Sequence, residues 1–279
     1  MNFFTVYRPE GEATILPCTW HQTGISLWGR TGLGNAGALR YEAQFLAGLD
    51  AMFFSRDNWI GKGATSPFEF DVANKYGFAG RIDYYAPVEG LRIGLSGYYG
   101  QSMHNSYPHD KEGAGKKYDY VKGAVSIGSV DFSYDAHNII VRGNADYGHL
   151  SDASDISQIK KNLSSNIAPY NKTNVGKNAY SVAIEAGYDI FSLINSMREH
   201  NQKFYVFGRY EAYDSYIRPS KSTQDYPSTD RKAFAVGVNY KPLPQLVVKG
   251  EYSKRLLKSQ FEDEPSVSIG IAYEGFFTK

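Results

Sequence analysis

Cysteine is all but absent. Cys18 is the only one in 279 residues, so no intrachain disulfide can staple the fold, and it reads as a small buried residue rather than a reactive thiol. Long apolar runs are absent as well. No stretch approaches ~18 apolar residues, which excludes a transmembrane helix. Net charge is nearly nil at +1, so nothing draws the chain to nucleic acid or to a charged surface. The opening "MNFFTVYRPEGE" has neither a basic start nor an apolar core, so no secretory signal is read there. Helical periodicity is scarce throughout.

What is plentiful is tyrosine, at 23, and glycine, at 28. Tyrosine suits strands and membrane interfaces; glycine suits turns and tight barrel interiors. Mean hydropathy is −0.43. That average has little meaning for a wall whose residues alternate between lipid and lumen.

Period-2 alternation recurs about eleven times. "ALRYEAQFLAGL" sets Leu39, Tyr41, Ala43 and Phe45 against Arg40, Glu42 and Gln44. "YGFAGRIDYY", "LRIGLSGYY", "IIVRGNADYG", "YSVAIEAGYDI", "FYVFGRYEAY", "AFAVGVNYK", "LVVKGEYS" and the closing "PSVSIGIAYEG" repeat the pattern. A strand from about Val121 to Tyr134 changes phase near Gly128, which predicts a bulge. Connections alternate: "APVEG", "DAHN" and "KPLPQ" are short, whereas the stretches between them are long and polar. "FSLINSMREHNQK" and "ISQIKKNL" predict short helical turns. "GRTGLGNAG" leads into a strand and reads as a turn, not a nucleotide fingerprint.

Alternation alone leaves open a soluble sandwich or a membrane barrel. Strands of bilayer-crossing length, alternating loop lengths and aromatics near strand ends, Trp28, Tyr76, Tyr84 and Tyr188 among them, favour the barrel. The expected fold is therefore all-β, an antiparallel transmembrane β-barrel forming one domain over residues 1–279. Energy sets its phase. An Arg or Lys facing lipid near the midplane costs about 2–4 kcal/mol. Arg40, Arg81, Arg92, Arg142, Arg209 and Lys249 should then face the lumen, with Glu42, Asp83, Asp146, Glu211 and Glu251 beside them. These are the expected pore-lining residues. In "SRDNWIGKGATSPFEF", Arg56 and Lys62 are the candidates for a constriction loop. An odd strand count and the missing signal predict an incomplete barrel whose N-terminal strands are absent from this chain.

No catalytic or cofactor site is expected. "YGHLSD" holds His149, Ser151 and Asp152 too close in sequence for a triad. His104, His109 and Asp110 in "HNSYPHDK" lack metal-ligand spacing.

Several segments resemble the phosphate-selective porin O and P family in its form common among Bacteroidetes: "ILPCTWHQTGISLWGR", "FEFD", "RGNADYGHLSD", "FGRYEAYDS" and "VGVNYKPLPQLVVKGEY", from about residue 15 to the end. The resemblance implies a barrel of about sixteen strands, of which this chain holds about eleven. It further implies a homotrimer in the bacterial outer membrane that passes small hydrophilic solutes or ions, phosphate among them, with lipid outside. The terminal aromatic pair, Phe276 and Phe277, resembles the signal read by barrel-assembly machinery. The alternatives are a barrel enzyme, adhesin or binding protein whose loops carry the function, and a soluble β-sandwich binding protein.

Overall fold

A computed structural model describes residues 3–17, 20–63, 75–103, 120–162, 172–258 and 260–274. Eleven strands form one antiparallel sheet in sequence order. They are β1 (Gly24–Gly32), β2 (Ala38–Ala47), β3 (Tyr76–Tyr85), β4 (Leu91–Gln101), β5 (Ala124–Ala136), β6 (Ile139–Leu150), β7 (Asn178–Asp189), β8 (Lys203–Ile217), β9 (Asp230–Leu243), β10 (Leu246–Leu256) and β11 (Glu264–Tyr273). Among the described residues β1 pairs only with β2 and β11 only with β10, so the sheet is open at both edges.

Turn chemistry divides the two ends. At one end the connections are short. His137 and Asn138 join β5 to β6 with both residues at positive φ, 55° and 63°, as a two-residue hairpin of this twist demands. The 190–202 connection at that end holds the helical turn expected there and one more, a 3₁₀ turn over Ile190–Leu193 and a helix over Asn195–Glu199. The other end carries the long connections, 48–75, 102–123, 151–177, 218–229 and 257–263.

The two faces have opposite chemistry. Ile82, Ile93, Leu95, Val130, Val182, Ile184, Val206, Val236, Val238, Ile269 and Ile271 form a continuous aliphatic belt on the convex side, and Ile269 is 78% exposed. Phe45, Tyr76 and Phe78 stack near the long-loop end, with ring centroids 5.0 and 5.2 Å from Phe45. Phe191, Phe204 and Tyr240 cluster near the short-turn end. Inside lie buried Asp83, Asp146, Glu185, Arg209, Glu211 and Glu251. A water-soluble sheet buries the first set and exposes the second; this one does the reverse.

Two expectations are corrected. No bulge interrupts β5, which keeps continuous register with β4 and β6 through Gly128. The apolar residues change face there because Val125 and Ile127, near the long-loop end, meet an apolar cluster on the inside. Trp28 is not in an outer aromatic band either. It stands opposite Glu42 and shares that residue's inner face.

Candidate functional site

The concave side is not empty. Residues 3–17 run along the inner wall, with a short helix, α1 (Glu10–Ile15), near their end. Phe4 sits near the short-turn end, its ring 5.2 Å from Tyr205 and 5.5 Å from Phe207. Gly187 makes that seat: a Cβ there would lie 2.4 Å from the Phe4 ring. Farther along, Gly11 packs on Ser181 and Tyr213, and Arg255 binds Glu10. Trp20 then stacks on Tyr98 at 4.9 Å before the chain enters β1 from the long-loop end.

A second insertion comes from the β2–β3 connection. Leu49, Met52, Phe54, Trp59 and Ile60 fold inward onto Val125, Leu150 and the helix α2 (Ala153–Asn162), which contributes Ile156 and Ile159. Trp59 Nε1 donates to the Gly176 carbonyl at 3.1 Å. Lys160 is fully buried in this cluster, and its Nζ donates to the Phe54 carbonyl. Burial pulls its pKa down to about 7 against the opposing pull of Asp50.

Between the lumenal segment and the wall of β2–β8 lies a cavity of about 890 Å³. Glu12 and Leu16 border it on the segment side; Glu42, Arg81, Arg92, Asp131, Arg142, Asp146 and Arg209 border it on the wall side. Its arginines are already engaged. Arg81 reaches Asp83 at 2.6 Å and Asp131 at 2.8 Å, and Arg92 reaches the same two carboxylates at 2.6 and 2.5 Å. Gly94 leaves room for this quartet, because a Cβ there would come within 2.5 Å of both Arg81 and Asp131. Arg142 pairs with Glu185 and Arg209 with Glu211, each at 3.3 Å. Two carboxylates have neutral polar partners: Asp146 accepts from Ser129 and Asn144, and Glu42 accepts from Gln44. Glu12 pairs with Arg8 at 3.7 Å. Burial raises the Glu12 pKa, and the negative charge of Asp146 raises it further.

The residues singled out from sequence thus fall into three groups. Glu42, Arg81, Arg92, Arg142, Asp146 and Arg209 border the cavity, and Asp83 underlies it. Glu211, Lys249 and Glu251 lie beneath the lumenal segment, which they bind. Arg40 shares their face but is exposed nearer the short-turn end, outside the cavity lining. Arg56 and Lys62, the candidates for a constriction loop, lie outside the cavity lining. Arg56 pairs with Asp57 and lies 4.7 Å over the Tyr226 ring, and Lys62 is exposed. That connection inserts its apolar residues, whereas residues Phe3, Pro9, Glu12 and Leu16 of the inner segment border the cavity. His149 bonds Asn178 at 2.7 Å, while Ser151 binds Asp152 and the Ala124 amide, so these groups are committed to holding strand ends. His104, His109 and Asp110 lie outside the described residues, as does Cys18.

No protein-family model matches the chain, so its resemblance to phosphate-selective porins stands on the motifs alone. An uncharacterized protein of Aquifex aeolicus (strain VF5) is 26% identical over 266 residues, 94% of this chain and 55% of the relative. The chain therefore spans about half the length of the curated relative it matches. Among solved structures, LpxR from Salmonella typhimurium is similar at 12% identity and a TM-score of 0.30, covering 90% of this chain and 88% of that one. A BenF-like porin from Pseudomonas fluorescens Pf-5 is similar at 11% identity and a TM-score of 0.37, covering 98% and 73%.

Proposed function

We propose that this chain forms wall and lumen of an outer-membrane porin through which small hydrophilic solutes diffuse passively. The observation that carries this reading is the inverted sheet: an exposed aliphatic belt between aromatic bands on one face, and charged groups around a cavity on the other. Lipid covers the first face and water and solute fill the second. In lipid every backbone polar group needs a partner, so the free edges of β1 and β11 pair with further strands. The resemblance adds a trimer of such barrels, inserted by barrel-assembly machinery.

The charge balance of the cavity favours cations over phosphate or other anions. Its arginines face carboxylates at salt-bridge distance, and Arg8 offsets Glu12, whereas Glu42 and Asp146 add negative charge beyond those pairs. One unit charge at about 4 Å in water is worth about 1 kcal/mol, or about fivefold in relative permeability. Planar-bilayer recordings of the protein in a KCl gradient should show discrete conductance steps and a reversal potential of cation-selective sign. Asp146→Asn should shift that potential toward zero by up to this factor. Absence of conductance steps would reject the porin reading; steps of anion-selective sign would reject the charge argument only.

A further inference from the structure

The inner wall of β7–β10 contacts residues 3–11 mostly through their backbone. The Phe4 amide donates to Glu185 at 3.3 Å and the Val6 amide to Glu251 at 2.8 Å. The Glu10 and Gly11 amides both donate to Glu211, at 2.8 and 3.1 Å. In the other direction, Lys249 Nζ donates to the carbonyls of Phe3 and Thr5 at 2.7 and 2.8 Å, and Asn239 donates to that of Phe4 at 2.9 Å. Side chains are read at few points. Phe4 fills the notch over Gly187, Arg209 donates to the Thr5 hydroxyl at 2.7 Å, and Arg255 pairs with Glu10.

We infer that this wall is a binding site for a short bent peptide carrying an aromatic residue followed by a hydroxyl residue, and that residues 3–11 are its tethered, displaceable occupant. Four of the wall groups, Glu185, Glu211, Asn239 and Glu251, are at most 7% exposed with the segment in place. Burying such groups costs desolvation even when they are paired, so a packed, permanent lining would favour apolar residues at these positions. Polar groups of this kind can exchange the peptide for water, because the lumen that opens when the segment leaves is wet. Backbone recognition also makes the site tolerant of sequence outside the notch. The tether through residues 12–23 makes the resident segment an intramolecular competitor, favoured over a free peptide by roughly 100-fold.

The test uses a fluorescent peptide of sequence FFTVYRPEG and fluorescence anisotropy on detergent-solubilised protein, which reads binding without reference to conductance. A variant lacking residues 3–17 should bind the peptide roughly 100-fold more tightly than the intact chain. A peptide with alanine in place of its second phenylalanine should bind that variant at least several-fold more weakly. A folded, heat-modifiable variant that does not bind would overturn the inference. Should the deletion fail to fold, the intact chain with Lys249→Met and Glu251→Leu supplies the second measurement. Hydrogen exchange at the Val6 amide should speed up by roughly tenfold or more on losing its acceptor and the adjacent lysine. Unchanged exchange would overturn the inference equally. Peptide binding without conductance would reject the porin reading and leave this site standing.

Discussion

Ile184→Arg is expected to destabilise the protein in a lipid bilayer by about 2–4 kcal/mol, the cost of a guanidinium facing lipid at the midplane. Ile184 lies at the middle of β7, opposite Gly143 and Tyr210, with its side chain on the convex face. In a soluble protein the same position, already 47% exposed, would accept arginine within about 0.5 kcal/mol. The two environments therefore differ by several-fold in what they exact for one substitution. Urea titration of folding into phosphatidylcholine vesicles measures it, with Ser181→Ala on the inner face as the control for β7 itself. A cost near zero for Ile184→Arg would show that water, not lipid, meets this face.

The same alternation that predicts this penalty made the strands legible. Side chains of period two and a one-residue rule for changing face leave little freedom in register. Arg81, Arg92 and Arg142 could be assigned an inward direction from the energy of the alternative. Their pairing was another matter. Asp131 joins Arg81 from two strands away, 50 residues along the chain, and no local spacing encodes that contact. The lumenal segment was less legible still. "FFTVYRPEG" has no strand partner, and its hydrogen bonds come from side chains about 180–250 residues distant, as with Glu185 and Lys249. A hint lay in Pro9 and the glutamates Glu10 and Glu12, which do not suit a lipid-facing strand. The apparent slip at Gly128 had a similar origin. A rule that apolar residues face lipid fails where an inserted connection gives the inner wall an apolar patch of its own.

That insertion is held at one point by a buried base, and its response to pH should be large. Lys160 has an ordinary pKa of 10.5 in the unfolded chain and about 7 in the cluster, lowered by burial. Between these values the unfolded state binds the proton and the folded state does not, so stability falls as pH drops from about 10.5 toward 7. The full difference is about 5 kcal/mol at 1.36 kcal/mol per unit, an upper figure if water reaches the amine. Below pH 7 both states are protonated and the slope ends. Lys160→Met removes the buried ammonium but leaves the Phe54 carbonyl without that donor, a loss of about 1–3 kcal/mol. The variant should therefore be less stable than the parent near pH 10.5 and about 2–4 kcal/mol more stable at pH 7, the hydrogen-bond loss being subtracted from the relieved desolvation. Hydrogen exchange of the Met52–Gly63 amides across pH, corrected for intrinsic rates, reports this locally. The two proteins should cross between pH 7 and 10.5, since one carries a proton-linked term and the other does not. Parallel profiles would mean that Lys160 keeps its charge throughout, held by Asp50 and water rather than by the Phe54 carbonyl alone.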